Sequence, residues 1–354
     1  APPLKKNKPS PASPDMFAPE DAPTPKGTRL GAEWVLPKAW GDWALTEFTS
    51  WTAEIVRLEA DKFADLGFAP VVCVLTRDQT ANTKTPAGRT VVVWGEQGIG
   101  DEISFASILP DAQKDIDIVL ECDHKLESLF KRSFPGVEVH GTRFEGSRDW
   151  AKDSGCAYFS LLGSLAQFYR KKPEDFPGTP FLVADDDRRL QWRVLLDKLP
   201  GKKVGISWTG GLKNTFKERR SINLETLLPL LKTPGITWVS LQYKDASAEI
   251  EAFEERHGIK IHHWKRGAES RDYDDVAALV MELDSVVSVT TAVIHLCGAL
   301  GKECHVMVPS KPRWFYGLTG TESRWYKSLK LHRQKGKDWN AVVNDIKKDI
   351  ACEP

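Results

Sequence analysis

From residue 91 onward the chain alternates short apolar runs with amphipathic stretches. Val91–Trp94, Ile116–Glu121 and Val137–His140 are β-prone runs bounded by polar turns, the pattern of strands buried on both faces of a parallel sheet. Between and after them, Glu102–Leu109, Lys125–Ser133 and Leu161–Tyr169 carry apolar residues at helical spacing. The stretch 171–187 is rich in proline and acid and reads as a linker. A second alternating series follows. It predicts helix Arg188–Leu199, strand Lys203–Trp208, helix Leu224–Leu231, strand Thr237–Gln242, helix Ala246–His257 and strand Lys260–His263. It continues with helix Tyr273–Leu283, strand Ser285–Val289, helix Ala292–Leu300, strand Cys304–Val308 and a last amphipathic helix over Trp339–Ile350. Upstream, the apolar spacing of Phe48, Trp51, Ile55, Leu58, Phe63 and Leu66 predicts a helix, and Val71–Leu75 a short strand. Two doubly wound α/β units in tandem are the expected architecture, each with its ligand crevice beyond the carboxyl ends of the strands.

Composition supports this reading. The chain of 354 residues suits two domains of ~150 residues each. Residues 1–27 are proline-rich and polar, so they predict a flexible extended tail. The expected units are then 28–185, 186–335 and a final segment 336–354. Lysine plus arginine equals aspartate plus glutamate at 49 each, so no basic footprint points to nucleic acid. Six scattered cysteines have neither zinc spacing nor a disulfide framework, which suggests a reducing, cytoplasmic setting. No apolar run approaches the ~20 residues of a transmembrane segment, and no histidine–carboxylate spacing predicts a metal or other cofactor. Most of the thirteen tryptophans are expected in the core, although tryptophan near a loop also serves as a platform for sugar rings.

Three loops carry the candidate chemistry. Trp94-Gly-Glu-Gln-Gly-Ile-Gly-Asp101 lacks the lysine and hydroxyl of a P-loop and the spacing of a dinucleotide fingerprint. Its glycines, among them Gly98 and Gly100, let another molecule approach the backbone. Asp101 would suit a general base toward a hydroxyl, with Glu96 as second candidate. An aspartate there also caps a helix, and the spacing admits both roles. Thr290-Thr291 before the helix from Ala292, with His295 one turn in, forms a diphosphate pocket at a helix N-terminus; the alternative is a capped helix with a core histidine. The loop after Trp208 brings Lys213, Lys217, Arg219 and Arg220 to a strand end, where they would clamp phosphate oxygens or be a solvated surface. The triplets Asp185-Asp186-Asp187 and Asp272-Tyr273-Asp274 precede helices and read as caps.

The motif over 94–101, the stretch 275–302 and the tail 324–343 together resemble bacterial glycosyltransferase-like domains found with tetratricopeptide repeats, relatives of the lipopolysaccharide heptosyltransferases. The resemblance covers roughly 88–350. It implies a GT-B fold, with two Rossmann-like domains facing a cleft, the acceptor on the first and a nucleoside-diphosphate sugar on the second. It also implies inverting, metal-independent transfer with Asp101 as base; the sequence leaves the acceptor open among glycan, protein and modified nucleic acid. Implied donor contacts fall at the loop from Trp208 through Gly210 to Lys213, around Gln242, and at Thr290, Thr291 and His295; the basic cluster itself adds Arg219. Thr290 stands where the family usually has aspartate. The C-terminal helix is implied to return to the N-terminal domain. A sugar-nucleotide epimerase and a non-catalytic module with a degenerate site share this plan.

Overall fold

The computed structural model describes residues 69–70, 90–153, 158–211, 217–268 and 272–352. The expected tail, the helix within 47–66 and the strand Val71–Leu75 lie outside them. Among the described residues eleven strands form two all-parallel sheets. The first holds β1 (Ala69–Pro70), β2 (Thr90–Trp94), β3 (Asp117–Glu121), β4 (Glu138–His140) and β5 (Tyr158–Leu161), in the spatial order β1-β5-β2-β3-β4. The second holds β6 (Lys202–Ser207), β7 (Ile236–Ser240), β8 (Ile261–His262), β9 (Ser285–Val289), β10 (Cys304–Val308) and β11 (Leu329–Arg333), in the order β11-β10-β9-β6-β7-β8. The longer helices are α1 (Ile99–Ala106), α2 (Glu127–Ser133), α3 (Asp186–Leu196), α4 (Leu224–Leu231), α5 (Ser247–His257), α6 (Tyr273–Glu282), α7 (Ala292–Leu300) and α8 (Asn340–Cys352).

Parallel neighbours require crossovers, and the direction of winding reverses once in each sheet. The chain leaves β2 toward β3 and β4, then returns to pair β5 on the other side of β2. Likewise β6 has β7 on one side and β9 on the other. Such a reversal opens a crevice at the carboxyl ends of the strands. The loops after β2, β6 and β9 therefore occupy the two switch points.

Local chemistry sets the helix starts. The Thr291 hydroxyl accepts the Val293 N–H at 3.3 Å and begins α7, while Asn223 accepts the Thr226 N–H at 2.7 Å and begins α4. Asp185 and Asp272 cap α3 and α6, as their positions predict. Gly301 ends α7 with φ of 75°, a left-handed conformation that glycine adopts without strain.

One apolar cluster joins the two halves. Val91 and Val93 of β2, Ile103 and Phe105 of α1, Ile294 and Leu296 of α7, and Trp325 and Tyr326 all belong to it. A second cluster fills the other face of the second sheet. The stretch expected as a linker is packed rather than loose. Phe176, Leu182 and Ala184 are buried, and the N–H groups of Phe181 and Leu182 both donate to the Ala299 carbonyl, at 2.9 and 3.0 Å.

Three expectations change. Leu161–Tyr169 is not one helix: β5 runs through Leu161, followed by a 3₁₀ turn at Gly163–Leu165 and a single helical turn at Ala166–Tyr169. Strand β11 was not expected, because Leu-Lys-Leu-His-Arg alternates like an exposed edge rather than a buried strand. Among the described residues the C-terminal helix, expected on the N-terminal domain, packs on the second sheet. Its buried Val342, Val343, Ile346 and Ile350 join the second cluster beside Leu227 and Met307, and α8 packs on α4 and β11. Its apolar stripe covers the strip that those elements leave open.

Candidate functional site

The loop after β2 is held by charges behind it. Arg143 pairs with the buried Glu102 carboxylate and donates through Nη2 to the Gln97 carbonyl at 2.8 Å. Glu102 also accepts the Asp123 N–H at 2.9 Å. This clamp accounts for Gln97 sitting at φ 64° without being glycine. A methyl on Gly95 would come within 2.9 Å of both the Glu102 carboxyl carbon and the Glu121 carbonyl, so only glycine fits there.

Asp101 takes the capping role that its spacing admits and keeps its second oxygen out of that bond. One oxygen, Oδ2, accepts the Gly98 N–H at 3.1 Å and closes the first turn of α1. The other, Oδ1, faces Arg313 of the second half, with Nη2 at 3.7 Å. Glu96 behaves differently from the base first suggested for it. It is buried, Oε1 accepts the Gly163 N–H at 2.7 Å, and Oε2 has no hydrogen-bond partner among the described residues. Burial pushes its pKa up to about 8, so at neutral pH it carries a proton and cannot accept one.

That shift yields a stability prediction. Unfolded Glu96 ionises near 4.5, and the folded group only near about 8. The stability it contributes is complete below the lower value and declines as pH rises to the upper one, by ~1.4 kcal/mol per pH unit. Glu96→Gln keeps a carbonyl oxygen for Gly163 and removes the ionisation. Urea denaturation from pH 5 to 8 is expected to show the variant gaining on wild type throughout that range. Parallel curves would refute the assignment.

Opposite Asp101 stands the second half. Gln242 Oε1 accepts the N–H groups of Trp208 (3.2 Å) and Thr209 (3.1 Å), and its Nε2 donates to the Thr209 carbonyl at 3.0 Å. Both ends of Gln242 thus brace the loop after β6. The Trp208 side chain is likewise core, fully buried with its indole N–H on Glu249 at 3.1 Å. Gly210 lies where a methyl would meet Thr291 Cγ2 at 2.9 Å, so this loop presses against the start of α7. Lys213 lies outside the described residues.

The 3₁₀ turn Lys217–Arg220 leaves Arg219 exposed and buries Arg220. Arg220 Nη1 donates to the Thr290 carbonyl at 3.3 Å. Burial and then the Arg313 charge lower its pKa, so two guanidiniums stand close to one another. Arg220 was visible only as one of a cluster, and Arg313, in the loop after β10, was not singled out. Tyr243, also missed, donates its hydroxyl to the Gly211 carbonyl at 3.0 Å.

At α7, Thr291 is occupied as the cap. Thr290 is buried with its hydroxyl unpartnered among the described residues, and so is His295 Nδ1. Burial lowers the His295 pKa to about 3, so the ring is neutral; it lies edge-on to Phe315 at 4.4 Å. Gly100 brings the two halves into contact, since a methyl there would lie 3.0 Å from His295 Cδ2 and 3.2 Å from Ala292 Cα. The N-termini of α1 and α7 thus converge, two partial positive ends beside two arginines. The structure brings together Asp101, Gly98, Gly100, Gly210, Thr290, Thr291 and His295, adds Arg220 and Arg313, and commits the Gln242 side chain to the loop backbone and that of Trp208 to the core.

No protein-family model matches the chain. It is 33% identical over 263 residues to Protein FlbA of Caulobacter vibrioides, a match covering 69% of this chain and 43% of that one. The chain therefore spans less than half the length of this relative. Among solved structures, a glycosyl transferase family 9 protein from Veillonella parvula superposes with a TM-score of 0.52 at 9% identity, over 73% of this chain and 91% of that one. The E. coli ADP-heptose lipopolysaccharide heptosyltransferase II gives a TM-score of 0.51 at 10% identity, over 74% and 96%. The fold is GT-B. No helix among the described residues is long and apolar enough to cross a membrane.

Proposed function

We propose that this chain is a glycosyltransferase that moves a sugar from a nucleoside diphosphate to an acceptor hydroxyl, with inversion and without an essential metal. The observation that carries the reading is the meeting of a cationic wall and a single carboxylate where the two halves touch. The wall comprises Arg220, Arg313 and the amides at the start of α7; Asp101 faces it from the other half. Two nearby guanidiniums repel each other unless an anion lies between them, and a diphosphate suits that place. The GT-B fold shared with the heptosyltransferase supports it.

In this mechanism the acceptor hydroxyl enters beside Gly98, since Gly100 packs against the start of α7. Its oxygen attacks the anomeric carbon as Asp101 takes its proton, and the bond from that carbon to the diphosphate oxygen breaks on the opposite face. The electron pair leaves with the diphosphate, whose growing charge is met by Arg220, Arg313 and the α7 amides. The neutral His295 and the Thr290 hydroxyl offer further hydrogen bonds to the donor. Incubating the protein with nucleoside-diphosphate sugars, with and without a panel of acceptors, tests this. Sugar transfer only when acceptor is present supports it. Conversion of the donor sugar alone would instead indicate an epimerase, and binding without turnover across the panel a non-catalytic module.

A further inference from the structure

Sequence spacing gave no metal set, but the fold builds one far from the Asp101 groove. β10 and β11 pair in parallel with His305 opposite Lys330 and Met307 opposite His332. Residues two apart on a strand share a face, so all four lie on the face that α8 covers. Along α8, Asp349 follows Ile346 by three positions and Val342 by seven, which puts a carboxylate on the helix's buried stripe. His305 is fully buried, and His332 is nearly so. A polar group of this kind inside an apolar interface calls for a reason.

The geometry points to a metal. His305 Nδ1 lies 3.1 Å from His332 Nε2, and Asp349 Oδ2 lies 3.9 Å from the first and 3.7 Å from the second. A point equidistant from atoms so separated is about 2.1 Å from each, the bond length of zinc to imidazole nitrogen and carboxylate oxygen. A slight closing of the two longer edges would lift the ion from that plane and leave a fourth position for water. Glu303 Oε1 sits 3.9 Å behind His305 Nε2; a carboxylate there favours the tautomer whose Nδ1 lone pair faces the ion. Lys330 Nζ meets Asp349 Oδ2. Its half-exposed chain can swing into water, and its departure opens the way in.

We propose that His305, His332 and Asp349 bind one divalent transition-metal ion of zinc type, clamping α8 onto the edge of the second sheet. Two imidazoles and one carboxylate select this class over magnesium or calcium, which take oxygen ligands. The site lies apart from the transfer groove, so it stands or falls independently of the proposed reaction.

The test uses the full chain, stripped with chelator and titrated with cobalt(II) chloride by visible absorption and with zinc chloride by calorimetry. One equivalent of cobalt should produce the intense bands of a four-coordinate ion. Zinc at a hundredfold its Kd should raise the melting temperature by about 3–5 °C. His332→Ala and Asp349→Asn, checked for folding by circular dichroism, should each lose the bands and the thermal shift. Lys330→Met should tighten binding, because a competing cation is gone. If wild type binds no stoichiometric ion, if both ligand variants bind as wild type does, or if Lys330→Met weakens binding, the proposal is wrong.

Discussion

Asp101→Asn is expected to slow sugar transfer about 10²–10⁴-fold, the range that a positioned general base supplies, while the protein folds and binds donor. The geometry separates these effects. Asparagine keeps an oxygen for the Gly98 N–H, which Asp101 now caps at 3.1 Å, so the start of α1 survives. What is lost is the carboxylate oxygen facing Arg313 at 3.7 Å. Removing a negative charge from the diphosphate pocket should leave nucleoside-diphosphate affinity unchanged or tighter, so the loss falls on kcat. Single-turnover kinetics together with equilibrium binding would show the split. A variant that transfers sugar at the wild-type rate would rule out Asp101 as the base.

Arg220→Met is expected to weaken nucleoside-diphosphate binding about 10–100-fold, since a hydrogen bond to a charged group is worth ~1.5–3 kcal/mol. Methionine fills similar space, and its neutrality relieves the repulsion from Arg313, so folding should hold. Arg219→Met is the internal control. That side chain is exposed, and its loss should change affinity less than twofold. Calorimetric titration of both variants checks this. Equal losses would mean that the loop acts as a diffuse charge rather than through one buried arginine.

Most of the second half, β11 apart, was legible to within a few residues. Ser285–Val289, Ala292–Leu300 and Cys304–Val308 match their predicted bounds, because the runs are closed by a helix cap, a glycine and Pro309 in turn. The loops at the strand ends were legible for the same reason, and with them Asp101, Thr291 and His295. Which side chain of a loop turns inward was not. Only the phase of the Lys217–Arg220 turn decides between Arg219 and Arg220, and only packing shows that Trp208 and Gln242 are spent on holding the backbone. Long-range register was hidden as well: His305, His332 and Asp349 meet through one strand pairing and one helix face, which no spacing reveals. The landing site of α8 likewise depends on an apolar strip that exists only after α4 and β11 are in place.

The most direct test is a crystal structure of the protein with a bound nucleoside diphosphate. The account predicts the diphosphate at the start of α7, within hydrogen-bonding distance of Arg220, with the Asp101 carboxylate across the groove from it. A diphosphate bound elsewhere, or an Asp101 carboxylate turned away from it, would contradict the account.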